Sequence, residues 1–66
     1  MKKAQEVIGA CLRSIRERQG LTLESLAAQA SVTYQYLSSL ERGQENFSIQ
    51  VLERLAVALQ SSLKSI

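Results

Sequence analysis

Residues 23–43, LESLAAQASVTYQYLSSLERG, constrain the fold more than any other stretch of this 66-residue chain. Apolar residues recur here at helical spacing in two sets, Leu26 with Ala30 and Leu37 with Leu40. Val32 lies between the two sets, where there is room only for a tight turn. The pattern predicts two short helices that pack against each other across a corner filled by Val32.

The second helix of this pair also carries a polar outer face. Its members are Thr33, Tyr34, Gln35, Ser38, Ser39 and Arg42. Such side chains can hydrogen-bond base edges and phosphates, whereas a helix face that is merely solvated is usually rich in Glu and Lys. Two interpretations follow: a helical bundle with a solvated face, or, as we favour, a DNA-binding helix-turn-helix over 23–42.

Helix boundaries are marked by capping residues. Thr22, Thr33 and Ser48 each precede a helical stretch and can accept a backbone N–H of its first turn. Gly20 and Gly43 follow periodic segments, where the chain needs a positive φ. These signals predict helices at 5–18, 23–30, 34–42 and 49–59, with a last fragment from about 62.

The fold class is therefore all-α, as one compact domain of four or five helices over residues 1–66. The first helix places apolar residues on one stripe: Ile8, Cys11, Leu12 and Ile15. The fourth helix has a broader stripe: Val51, Leu52, Leu55, Val57 and Leu59. We expect these two helices to clamp the helix pair from behind, and Cys11 to be a buried apolar residue.

Composition excludes several classes of protein. One cysteine and no histidine rule out a disulfide framework and an ordinary zinc site. We find no nucleophile paired with a base and no glycine-rich phosphate loop, so we expect no enzyme, cofactor or small-molecule ligand. Without a signal peptide or a membrane-spanning apolar run, we expect a cytoplasmic protein. The net charge of +2 permits nucleic-acid binding without establishing it.

Four motifs appear in the order and spacing of a known family. They are LR.IRE..GLT from Leu12, LA..A.V from Leu26, YLS.LERG from Tyr36 and L..LA.AL from Leu52. Together they resemble the lambda-repressor/Cro-like family, also called the XRE type, from about Ile8 to Leu63. Within it, TYQYLSSLERGQENFSI is most similar to controller proteins of restriction–modification systems. The resemblance implies a lambda-repressor-like domain whose third helix enters the major groove of DNA.

The resemblance also implies roles for individual residues. Positions that usually face base edges correspond to Thr33, Tyr34, Gln35 and Ser39, with Ser38 beside them. Gln35 is the best candidate, because its amide can pair with adenine through two hydrogen bonds. Phosphate contacts are implied at Thr22, Leu23, Tyr36, Arg42, Gln44 and Asn46, with Ser48 as a further candidate in the same loop. Thr22 and Leu23 would act through backbone N–H groups at a helix start.

Some positions leave alternatives or depart from the family pattern. Arg16 and Glu41 match partners of a partly buried ion pair, although two solvated charges are the alternative. Tyr36 can also be an aromatic at the edge of the core. Ser31 stands where relatives often have glycine, and a positive φ there would cost roughly 1 kcal/mol. Leu23 replaces a frequent glutamine, so its side chain supplies no phosphate contact. The remaining basic residues are expected to be solvated: Arg13, Arg18, Arg54, Lys2, Lys3 and Lys64.

The sequence thus predicts a transcriptional regulator that binds a palindromic operator in double-stranded DNA as a homodimer. Leu63 and Ile66 continue the apolar spacing of Leu59, where the family commonly pairs its subunits. Alternatively, Leu63 packs on its own core. An apolar pattern that reaches residue 66 would also fit the DNA-binding part of a longer regulator. The alternative function is an antitoxin or adaptor that uses the same fold to bind a protein.

Overall fold

The computed structural model describes the backbone of residues 4–64 and the side chains of residues 4–60. Four helices make up this part of the chain, α1 (Ala4–Arg18), α2 (Leu23–Gln29), α3 (Tyr34–Glu41) and α4 (Ile49–Lys64), and it contains no strand. The all-α prediction is confirmed, and the first three helices match their predicted bounds within one residue. The separate fragment from 62 is wrong, because α4 continues unbroken where neither glycine nor proline interrupts it.

Capping side chains begin three of the helices. At Thr22, Thr33 and Ser48 the hydroxyl oxygen accepts the backbone N–H of the residue three positions later, at 3.0, 3.1 and 3.1 Å respectively. Each cap satisfies a donor that the first turn of a helix would otherwise leave without a partner. The three predicted caps are therefore present.

Residues with positive φ form the turns between helices. Gly20 follows α1 with φ 72°, and Gly43 follows α3 with φ 77°. Ser31 has φ 59° between α2 and α3, as predicted for the position where relatives often have glycine. The N–H of Val32 donates to the carbonyl of Ala27 at 3.0 Å and closes this corner. The turn is thus held by the backbone despite the strain at Ser31.

The core is centred on the α2–α3 pair. Four leucines are fully buried there: Leu26, Leu37, Leu40 and Leu55. The alanines Ala27 and Ala30 fill the space between α2 and its neighbours, and Val32 packs against the same cluster. α3 packs on α1 and on α2, while α4 packs on α2. As predicted, α1 and α4 hold the pair in place, and one side of α3 remains solvent-facing.

Two apolar stripes are narrower than the sequence predicted. Cys11 is exposed, which overturns its prediction as a buried residue, and Ile8 is 36% exposed. Of the predicted stripe on α1 only Leu12 is buried, and the other buried residues of this helix are Gly9 and Arg16, on the side that faces α3. Val57 is 62% exposed because it lies two residues from Leu55 and so on the opposite side of α4.

Candidate nucleic-acid interface

The two sides of α3 differ in character. Gln35, Ser39 and Arg42 are spaced i, i+4 and i+7, and therefore share one side of α3 and its C-terminal cap. Gln35 and Arg42 are exposed, whereas Ser39 and the neighbouring Ser38 are half-buried. The predicted base-edge residues are thus not equally accessible, and Gln35 is among the exposed ones.

The start of α3 adds two more of the predicted residues. Tyr34 is the first residue of the helix and is 48% exposed. Thr33 is exposed, and its Oγ1 accepts the N–H of Tyr36 as the cap. Because a hydroxyl can accept and donate at the same time, Thr33 retains an O–H donor for an outside partner. Both side chains therefore extend the polar surface of α3 towards its N-terminus.

Arg16 of α1 and Glu41 of α3 form a buried ion pair, as the family resemblance implies. Arg16 Nε donates to Glu41 Oε2 at 2.8 Å and Nη2 donates to Oε1 at 3.1 Å. Only 10% and 4% of the two side chains are exposed. The hydrogen bond that Arg16 donates to Glu41 raises the pKa of Arg16 above its ordinary value, against the opposing effect of burial.

The same guanidinium reaches a third element. Arg16 Nη1 donates to the carbonyl oxygen of Leu21 at 2.8 Å, in the connection between α1 and α2. One side chain thus joins α1, this connection and the last residue of α3. Because two parallel hydrogen bonds fix geometry as well as distance, the pair sets the inclination of α3.

A cavity of about 210 Å³ opens beside this ion pair. Besides the pair, its lining residues are Arg13, Leu23, Ser38 and Arg42. Arg13 also pairs with Glu17 at 3.2 Å, and its side chain is 62% exposed. Leu23 is half-buried and packs against the core, and as a leucine it offers no polar group to the cavity. The place of Arg13 beside the cavity was missed by sequence reasoning, although its i, i+3 spacing from Arg16 was a signal.

The loop between α3 and α4 carries further predicted phosphate contacts. The backbone N–H of Gln44 donates to the carbonyl of Ser39 at 2.9 Å. The side-chain oxygen of Asn46 accepts a hydrogen bond from the Gln5 amide in the first turns of α1. Asn46 and Gln44 are both exposed. The loop is therefore tied to α1 and α3 and still presents polar groups to solvent.

Tyr36 combines features of both of its predicted roles. Its ring is half-buried and packs against the core. Its hydroxyl donates to the backbone carbonyl of Asn46 at a long distance of 3.4 Å. Support for the core-edge interpretation comes from the ring, while the hydroxyl lies beside the loop that carries the other candidate phosphate contacts.

The remaining predicted residues divide into two groups. Thr22 is exposed and caps α2, so a hydroxyl donor remains at that helix start. Leu63 and Ile66, the predicted dimer contacts, lie outside the residues whose side chains the structure describes.

Two residues of α1 that contact α3 or the loop after it were missed by sequence reasoning. Gln5 has no local signal, whereas the place of Gly9 inside a helix could have indicated a close approach.

Two other kinds of site are absent from the described part of the chain. None of the helices within residues 4–64 is both long and apolar enough to span a membrane. Among the same residues, no cluster of three or more Cys, Asp or Glu side chains could hold a metal ion.

Comparison with known proteins identifies similar sequences. A family model described as helix-turn-helix matches residues 12–66. The transcriptional regulator ClgR of Mycobacterium tuberculosis is 41% identical over 59 residues, which are 89% of this chain and 53% of that protein. This chain thus spans about half the length of that relative.

Two solved structures share the fold. The clp gene regulator ClgR from Corynebacterium glutamicum superposes with a TM-score of 0.88 at 39% identity, over 97% of this chain and 82% of the other. The restriction-modification controller protein C.AhdI from Aeromonas hydrophila gives a TM-score of 0.84 at 36% identity, over 85% of each chain.

Proposed function

This chain belongs to the XRE-type helix-turn-helix family, and from that premise we propose that it is a sequence-specific DNA-binding transcriptional regulator. The observation that carries the proposal is the geometry of α3. Its inner side is buried through Leu37, Leu40 and the Arg16–Glu41 pair, while its outer side is polar and solvent-facing around Gln35. A major groove is wide enough to admit one such helix.

Base recognition is assigned first to Gln35. Its amide can donate to and accept from the edge of one adenine, which distinguishes that base from the other three. Thr33 and Tyr34 lie at the N-terminal end of α3, which enters the groove first in helix-turn-helix proteins. Ser38 and Ser39 are half-buried, so they contribute to base recognition only where the walls of the major groove come close to the sides of α3.

Phosphate contacts are assigned to the residues that flank α3. Arg42, Gln44 and Asn46 follow its C-terminus and are exposed. Thr22 and the backbone of Leu23 offer donors at the start of α2, and the Tyr36 hydroxyl lies beside the loop. Such contacts hold the protein in register on the duplex and carry no sequence information themselves.

The operator sequence is the first test of this function. The protein would be used to enrich duplexes from a randomised pool, and the affinity for the enriched duplex would be compared with that for a scrambled one by fluorescence anisotropy. We expect an inverted repeat, bound about a thousandfold or more tighter than the scrambled duplex. A pool without a common sequence, or equal affinities, would contradict sequence-specific binding and leave an antitoxin or adaptor function as the alternative.

Dimer formation on the palindrome is the second part of the proposal. Two copies of α3 about 34 Å apart would enter successive major grooves, which requires a two-fold contact between subunits. We assign this contact to Leu63 and Ile66. Leu63→Glu should lower both dimerisation, measured by ultracentrifugation, and operator affinity, while the helical circular-dichroism signal of the folded domain is retained.

The matched control is Ser61→Glu, which adds the same charge two residues earlier. It should leave both dimerisation and operator affinity near the parent values. If Leu63→Glu dimerises as the parent does, the interface lies elsewhere in the protein.

A further inference from the structure

One face of α1 runs along the end of α3 and the loop that follows. Arg16 bonds to Glu41 near the C-terminus of α1, and Gln5 bonds to Asn46 near its N-terminus. Between these two ends, Gly9 lies against the last residues of α3. The contacts therefore occur in order along α1, and the segment from Leu40 to Asn46 runs antiparallel to it.

Gly9 allows α1 and α3 to approach more closely than any other residue would. It is buried, and a Cβ built on it would overlap the carbonyl oxygen of Leu40 and lie 2.8 Å from that of Glu41. Both obstacles are backbone atoms, which cannot rotate away as a flexible side chain can. Because glycine inside a helix is destabilising relative to alanine, its presence here is explained by this contact.

The contact continues into the loop through Gly43. A Cβ on Gly43 would lie 2.6 Å from Cγ and 2.8 Å from Cα of Glu6, so the loop also begins directly against α1. The N–H of Gly43 donates to the carbonyl of Leu40, the same oxygen that Gly9 faces, at 3.1 Å. A displacement of Leu40 by a larger residue at position 9 would therefore be passed on to the loop.

We propose that α1 positions α3 and the loop that follows it for DNA binding, with Gly9 as the positioning residue for the outer side of α3 and Gln5 as the positioning residue for Asn46. This inference rests on the proposed function. A methyl group at position 9 would push the end of α3 outwards by about 1 Å to reach an ordinary contact distance. Hydrogen bonds to base edges tolerate little displacement, whereas the attraction between Arg42 and phosphates falls off slowly with distance.

The test compares Gly9→Ala with Gly20→Ala. Gly20 has φ 72°, and a Cβ added there would meet nothing within 4 Å, so the same added methyl strains the backbone without pushing on α3. Both variants should lose stability. Only Gly9→Ala should lose affinity for the duplex that the parent enriches, by about tenfold, while its affinity for the scrambled duplex stays near the parent value.

A second pair of variants covers the case in which Gly9→Ala does not fold. Gln5→Ala removes the donor to Asn46 and leaves the core intact, and Gln29→Ala is the same substitution on the exposed side of α2. We expect Gln5→Ala to weaken binding to the operator and to the scrambled duplex severalfold, because Asn46 loses its orientation towards a phosphate. Gln29→Ala should leave both quantities unchanged.

The outcomes separate this inference from the proposed function. A parent protein that enriches no duplex overturns both. A parent that binds its operator, with equal losses for Gly9→Ala and Gly20→Ala, overturns the positioning role of Gly9 alone. A Gln5→Ala variant that binds as Gln29→Ala does overturns the positioning role of Gln5.

Discussion

The inner side of α3 holds Leu37 and Leu40, both 0% exposed, whereas its outer side holds the exposed Gln35 and Tyr34, which is 48% exposed. Only eight residues supply both sides. The inner side is fixed by a buried ion pair and by packing on two other helices. The outer side has polar groups directed at solvent.

This difference indicates that stability and recognition depend on different residues of one short helix. A substitution on the inner side should change the free energy of unfolding, and one on the outer side should change DNA affinity.

The largest effect is expected at Leu37. Leu37→Ala removes a fully buried side chain and leaves a cavity, so the free energy of unfolding should fall by about 2–5 kcal/mol. Urea denaturation would measure the loss, which approaches the whole stability of a small domain. Gln35→Ala, on the outer side, should change it by less than about 0.5 kcal/mol. Comparable losses for the two variants would show that the sides are not separate.

The ion pair should give the next largest effect. Arg16→Met strands the Glu41 carboxylate, and the expected loss is about 1–4 kcal/mol because the adjoining cavity lets water approach it. Replacing both residues by methionine should restore much of this loss, since no charge is then left buried. A double-mutant cycle without coupling would contradict the pairing of α1 with the end of α3.

The pH dependence of this contribution follows from the raised pKa of Arg16. A raised pKa in the folded state means that the contribution of the Arg16 charge is fully present at neutral pH and is lost only as the pH rises above the ordinary arginine value. The stability difference between the parent and Arg16→Met should therefore stay constant from neutral to moderately alkaline pH. Thermal unfolding across that range would check it, and a steady decline would point to a different titrating group.

Gln35 tests the outer side. Gln35→Ala should weaken operator binding by about 1–3 kcal/mol and leave binding to scrambled DNA nearly unchanged, because a base-edge contact distinguishes sequences. Fluorescence anisotropy on both duplexes would measure the two values. Ser25→Ala, a polar-to-alanine change on α2, serves as the control. Equal losses on both duplexes would make Gln35 a phosphate contact.

Local signals explain how much of this fold could be predicted. Thr22, Thr33 and Ser48 act on the residue three positions later, so the sequence alone contains both partners of each cap. The burial of Leu26 and Leu37 likewise follows from spacing within their own helices. The candidate residues on α3 were predictable for the same reason, since they occupy the side opposite these leucines.

Relations between distant segments were the part that the sequence left open. Apolar spacing in α1 indicated burial but not which side the neighbour would cover, and the close approach at Gly9 turned Cys11 outwards. Gln5 and Asn46 are 41 residues apart, and neither is marked by a local pattern. Such contacts depend on how closely two helices pack, which is a property of the assembled core.

Arg42 should show the smallest effect and marks the boundary between the two kinds of DNA contact. It is exposed, and its Nε makes only a long 3.4 Å hydrogen bond to the carbonyl of Ser38, so its charge is available to a phosphate. Arg42→Ala should weaken binding to the operator and to the scrambled duplex alike. It should also reduce the slope of log affinity against log salt concentration by about one. Arg54→Ala makes the same charge change in a separate depression of the protein surface, beside Val57 on α4, and should leave this slope unchanged. A loss confined to the operator would instead extend base recognition from Gln35 to the end of α3.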